Sequence, residues 1–125
     1  MNKSELKNRK PIWQALSNLY LDVELQTEDF KEIAAVFNES AYTIEEIRKI
    51  DLYEVFPLLQ LNLLSMAGEW AGFDEDILEE ECIKKWKLRK NITYRLVCNL
   101  FNSIFYWMRK DYWQKIDTEL RKNEA

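Results

Sequence analysis

Residues 27–37 read Thr27-Glu28-Asp29-Phe30-Lys31-Glu32-Ile33-Ala34-Ala35-Val36-Phe37. Phe30, Ile33, Ala34 and Phe37 recur at the three- and four-residue intervals that place side chains on one face of an α-helix. Thr27 is the expected N-cap, its hydroxyl accepting from an amide of the first turn. Glu28 and Asp29 suit the positive end of the helix dipole. A strand would alternate apolar and polar residues, and this stretch does not. It reads as a helix.

The same reading extends outward. Upstream, Pro11 is expected in the first turn of a helix, where its missing amide hydrogen matters least. Ile12, Leu16 and Leu19 form its apolar face, flanked by Trp13 and Tyr20, and residues 21–25 turn the chain. Downstream, Thr43 and Glu46 make a capping box for a short helix with Ile44, Ile47 and Ile50 inward. Asp51 is expected to cap the next helix, with Pro57 near its start or at a kink. Leu58, Leu59, Leu61, Leu63 and Leu64 crowd more than one side of that helix, which marks it as central.

Gly68 and Gly72 bracket an expected connection. Asp74 then caps a helix carrying Ile77, Leu78, Cys82 and Trp86 on one broad face, and Phe73 staples against Leu78. Thr93 is the expected cap of a long C-terminal helix. Its inward face is read as Tyr94, Val97, Phe101, Ile104, Phe105, Met108 and Tyr112, with Trp107 and Trp113 displaced toward a second surface. The fold class is therefore all-α: a compact single-domain bundle of about five or six helices. Residues 1–8 are expected to be a flexible lead, 9–120 the helical domain and 121–125 a tail.

Composition agrees with one core. The chain has 125 residues, 47% of them hydrophobic, with six Phe, six Tyr and five Trp. The longest uncharged runs, 55–68 and 96–108, fall short of the ~20 apolar residues that span a bilayer. Residues 1–10 are polar and basic and do not resemble a signal peptide, so a cytoplasmic location is expected. Cys82 and Cys98 have no metal or redox spacing and are expected as buried, reduced thiols. No cofactor or metal motif is present. Histidine, the commonest general base, is absent altogether, which favours binding over catalysis.

Charge is divided by segment. Residues 22–54 hold ten carboxylates against three basic groups, 69–81 add seven carboxylates and no base, and 84–95 carry six bases and no acid. Lys84, Lys85, Lys87, Arg89, Lys90 and Arg95 could contact phosphate beside Trp86. A helix spreads them around its circumference, however, so a solvated face is expected and nucleic acid is not. Asp74, Glu75, Asp76, Glu79, Glu80 and Glu81 open a helix, where acids complement the dipole rather than hold a metal.

Asp22, Glu24, Glu28, Asp29, Glu69, Asp74 and Asp76 are the acids expected to form a partner-binding surface. Trp70 between Glu69 and Asp74 offers either a desolvated anchor for a partner or a lock for the helix connection. If the acids converge, their field would draw in a basic protein and repel nucleic acid.

Three phrases carry a resemblance: Arg9-Lys10-Pro11-Ile12-Trp13-Gln14-Ala15-Leu16, Asp51-Leu52-Tyr53-Glu54-Val55-Phe56-Pro57, and Asn62-Leu63-Leu64-Ser65-Met66-Ala67-Gly68-Glu69-Trp70-Ala71-Gly72-Phe73-Asp74. In these the chain resembles a family of small, uncharacterised bacterial helical proteins that look like immunity or accessory proteins of toxin systems. The resemblance covers much of residues 9–81 and brings no catalytic site with it. It implies an immunity or accessory protein; the acidic patterning adds the expectation that the chain blocks a cognate protein toxin, such as a basic nuclease, through its acidic surface. The alternative is a regulatory or structural adaptor that uses its C-terminal helix to form homo- or hetero-oligomers. Neither reading involves a membrane.

Overall fold

A computed structural model describes residues 1–20, 24–65 and 75–124, with the backbone alone at 61–65 and 123–124. Seven α-helical segments are present among these residues: α1 (Lys3–Ser17), α2 (Thr27–Glu39), α3 (Ile44–Ile50), α4 (Phe56–Ser65), α5 (Glu75–Leu88), α6 (Ile92–Phe105) and α7 (Lys110–Glu124). A π-helical turn, Asp51–Val55, joins α3 to α4 without a break, so the segments make six rods. Short 3-10 turns follow α1 at Asn18–Tyr20 and α6 at Tyr106–Met108. The bundle is all-α.

Local chemistry fixes several boundaries. The Thr43–Glu46 capping box forms as read, with Glu46 N–H donating to Thr43 Oγ1 at 3.2 Å and Thr43 N–H donating to Glu46 Oε1 at 3.0 Å. Other starts shift. Asn2 caps α1, accepting from Glu5 N–H, so the helix begins inside the expected flexible lead and Pro11 lies within it rather than in its first turn. Gln26, not Thr27, is the N-cap of α2. Asn91, not Thr93, caps α6 by accepting from Tyr94 N–H at 3.0 Å. At the other end, α7 runs on to Glu124, through most of the expected tail.

Asp51 does not cap a helix. It sits in the π turn, where one extra residue per turn rotates both Asp51 and Glu54 into the interior. Pro57 follows at once and has no N–H to give the Tyr53 carbonyl four residues back. The Tyr94 hydroxyl of α6 donates to that carbonyl instead. The turn is the hub of the fold, touched by α1, α3, α4, α5 and α6.

Around the hub, Ile12, Trp13 and Leu16 of α1 pack with Phe30, Ile33 and Phe37 of α2, Ile47 and Ile50 of α3, and Phe56 and Leu59 of α4. From α7, Trp113 and Ile116 complete this core. Helix α7 lies along α2, with Phe37 and Trp113 stacked at 6.2 Å between centroids. Arg48 ties α3 to the same helix, bonded to Asp117 at 2.7 Å and lying over the Trp113 ring. Among the described residues, no helix is long and apolar enough to cross a membrane.

Candidate functional site

The run read as one helix from Thr93 is two, α6 and α7, and the last of these is the long C-terminal helix. The run breaks at the 3-10 turn Tyr106–Met108, and Arg109 N–H closes that turn on the Tyr106 carbonyl at 2.8 Å. The break turns Arg109 inward, beside Asp51 at 3.5 Å and over the rings of Tyr20, Phe56 and Tyr106. Arg109 Nη2 donates to Asn102 Oδ1 at 2.6 Å. Among the described residues its Nε and Nη1 make no hydrogen bond within geometric limits, Nε being the atom that pairs with Asp51 Oδ2; that carboxylate and the π faces stacked around the guanidinium supply the compensating interaction. This side chain anchors the α6–α7 junction in the core.

With α6 so placed, its two apolar faces separate. Tyr94, Cys98, Phe101 and Phe105 turn toward the bundle as buried or half-buried side chains. Ile92 (75% exposed), Leu96 (66%), Leu100 (61%) and Ile104 (52%) turn to the opposite side, followed in the 3-10 turn by Trp107 (72%). Steps of four and three residues make these five one continuous outward row. Val97 and Met108, expected inward, are also exposed, whereas Trp113, expected at a second surface, is only 2% exposed. No charged side chain occurs in residues 96–108. The row is the most distinctive outward feature of the described structure; of the other exposed large apolar residues, Met1 and Ile77 stand apart from it in sequence, and Leu88 lies four residues before Ile92.

The expected acidic surface is distributed differently from the α6 row. Asp22, Glu69, Trp70 and Asp74 lie outside the described residues. Glu24 is exposed. Glu28 is exposed and reaches Lys31 at 3.5 Å. Asp29 is half-buried and accepts from Gln26 N–H at 2.7 Å, which engages it in capping α2. Asp76 is exposed in the first turn of α5. Nearby carboxylates have basic partners: Glu79 meets Lys10 at 3.2 Å, and Glu81 meets Lys84 at 3.0 Å.

Two further acids, Asp51 and Glu54, are buried, and neither was expected in the interior. Tyr20 Oη donates to Asp51 Oδ1 at 2.6 Å. Burial holds the Asp51 carboxyl above its ordinary range even though Arg109 and the Tyr20 bond pull it down. Burial, reinforced by Asp51, likewise pushes the Tyr20 hydroxyl up. Glu54 Oε1 accepts from Trp13 Nε1 at 2.9 Å and Arg9 Nε at 3.1 Å; its carboxyl is also raised by burial against the pull of Arg9. Both carboxyls are fastened to side chains of the core or its edge, which makes them structural cross-links between helices.

Cys82 and Cys98 are free and buried. Burial raises both thiols, so neither is poised as a nucleophile. Among the described residues, no group of three or more His, Cys, Asp or Glu side chains could hold a metal. Among the described residues, the interior polar groups serve the fold, and the outward row of α6 is the feature that their packing leaves unexplained. No curated protein and no solved structure matches the chain. A family model described as a domain of unknown function (DUF7079) matches residues 7–119, and the chain belongs to that family.

Proposed function

We propose that this domain acts by self-association, two copies meeting through the outward faces of α6 to build an adaptor or scaffold. The exposed row Ile92, Leu96, Leu100, Ile104 and Trp107 carries this reading. Its span, from the first residue to the last, is about 22 Å along a helix. Large apolar side chains exposed together along one helix face mark an interaction site, whereas scattered single ones do not. With Val97 and Met108 at its margins, the row supplies the apolar centre of an interface of about 800 Å² per partner. The absence of charge in residues 96–108 lets two copies approach without like-charge repulsion. A basic partner would find no acidic frame there.

Sedimentation velocity tests the proposal. The wild-type chain is expected to pass from monomer to dimer between about 1 and 200 µM, the range of a modest apolar interface. The Leu100→Glu and Trp107→Glu variants are expected to stay monomeric with unchanged helix content. A wild-type chain that stays monomeric throughout overturns the reading.

A second reading, blockade of a cognate bacterial toxin, is favoured by the exposure of Glu24, Glu28 and Asp76. It makes the chain a cytoplasmic immunity protein and keeps Asp22, Glu69, Trp70 and Asp74 as further contacts. Mixing the purified chain with the product of an adjacent toxin gene tests it. Inhibition that is lost on reversing Glu24, Glu28 and Asp76 to lysine fits; failure to associate at micromolar concentration does not.

A further inference from the structure

Away from the α6 row, α1, α3, the π turn, the turn after α5 and the start of α6 line a cleft of about 330 Å³. Five basic side chains reach it from separate parts of the sequence: Arg9, Lys49, Arg89, Lys90 and Arg95. This convergence occurs in a chain whose net charge is −4. Two carboxylates also line the cleft, but both are engaged. Glu54 is bonded to Arg9 and Trp13, and Glu46 accepts from Thr43 N–H. Among the described residues, no ion pair joins Lys49, Arg89, Lys90 or Arg95 to a carboxylate.

Arg89 and Arg95 are held in place by ring faces and a carbonyl rather than by ion pairs, while Glu54 and Glu46 offset only part of the charge of the five bases. Arg89 lies 3.8 Å from the Trp86 ring centroid, and its Nη1 donates to the Trp86 carbonyl at 2.8 Å. Arg95 lies over Tyr53 at 5.2 Å, and the Tyr53 hydroxyl is itself fixed by Asn99 at 3.1 Å. Arg95 also stands in the first turn of α6, which contains no acid to offset the positive end of the dipole. Several like charges fixed around one small cleft repel one another until an anion enters it.

We propose that this cleft binds the phosphate groups of a small phosphorylated molecule. A single carboxylate would leave most of the positive charge uncompensated, whereas a phosphate ester or diphosphate brings two or more negative charges and accepts from planar guanidinium forks. The cleft's volume lies at the small end of ligand sites, ~300–1,000 Å³, and suits a nucleotide-sized molecule. A nucleic-acid strand would need aromatic faces on which bases can stack. Here the Trp86 and Tyr53 faces carry Arg89 and Arg95.

Isothermal titration of the full chain with inorganic pyrophosphate, a nucleoside triphosphate and a single-stranded oligonucleotide tests this. Pyrophosphate is expected to bind saturably, and Lys49→Ala with Arg95→Ala to weaken it about tenfold or more. Both positions are exposed, and circular dichroism checks that the double variant folds. Lys84→Ala, outside the cleft, is expected to change nothing. Equal affinity for pyrophosphate and the triphosphate assigns recognition to the phosphates alone; tighter triphosphate binding places the nucleoside in the cleft as well. Absence of saturable pyrophosphate binding at about 10 mM overturns the proposal, that being weaker than any specific site of this charge. So does equal weakening by Lys84→Ala, or an oligonucleotide complex that pyrophosphate fails to displace.

Discussion

Replacing Arg109 by methionine keeps a long unbranched side chain but withdraws the guanidinium from beside Asp51. At the observed 3.5 Å, the ion pair's attraction is about 5 kcal/mol for an effective dielectric constant of 20. Desolvation offsets much of that, since Asp51 titrates above its ordinary range in spite of the arginine. The two effects together make the intact pair worth little relative to an apolar substitute. Removing one partner is different. It strands a buried carboxylate with the Tyr20 hydroxyl as its remaining bonded partner, which costs about 3–5 kcal/mol. Against a total stability of ~5–15 kcal/mol for a single domain, that loss leaves Arg109→Met marginal. Urea unfolding followed by far-ultraviolet circular dichroism at neutral pH measures it. Adding Asp51→Asn to Arg109→Met is expected to recover at least ~1 kcal/mol relative to the sum of the single losses, because the stranded charge is gone. A loss below ~1 kcal/mol for Arg109→Met, or strict additivity in the double variant, would refute the reasoning.

Three more outcomes follow from the same interior. The folded-state carboxyl of Asp51 is raised by burial from 3.8, so its contribution to stability is fully present below that value and is lost as pH rises through the folded value. The stability of wild type minus that of Asp51→Asn should therefore fall as pH rises above about 4, and urea titrations showing a rise would contradict it. Tyr94→Phe removes the donor that serves the Tyr53 carbonyl and should cost about 1 kcal/mol. In a Pro57→Ala background the loss should shrink in the same assay, because a backbone amide becomes available to that carbonyl. Finally, Cys82 and Cys98 should react with a thiol reagent far more slowly in the native chain than in denaturant, since both are buried with raised thiols; equal rates would show that the interior opens freely.

The fold was legible wherever a helix has one apolar face. Phe30, Ile33, Ala34 and Phe37 lie buried on α2 as their spacing requires, and the Thr43–Glu46 box sits where its residues say. Legibility failed where a helix carries two such faces. On α6 the apolar residues occupy both sides, so a single face drawn from periodicity mixed inward Tyr94 and Phe101 with outward Val97 and Ile104. Contacts from far along the chain distinguish the sides: Arg109 against Asp51, 58 positions apart, and Tyr94 against the Tyr53 carbonyl. The π turn was hidden for a related reason: Asp51 before a helical run reads as a cap, and its burial depends on Tyr20 and Arg109 from elsewhere.

The cationic cleft was half visible. Arg89, Lys90 and Arg95 stood out as a basic stretch, but a linear reading spread them around helices. Arg9 and Lys49 join them only through the packing of α1 and α3. Among the acids expected to act together, Asp29 was already committed to its own helix end. Acids near helix starts serve caps and dipoles at the same positions where they could serve a partner, and sequence does not separate the two uses.

The most direct measurement of the α6 proposal is hydroxyl-radical footprinting of the wild-type chain at increasing concentration, read residue by residue. Oxidation at Leu96, Leu100 and Trp107 should decline as dimer forms, while exposed Met1, remote from the row in sequence, keeps its rate. Undiminished oxidation of Leu100 and Trp107 at every concentration would contradict the account.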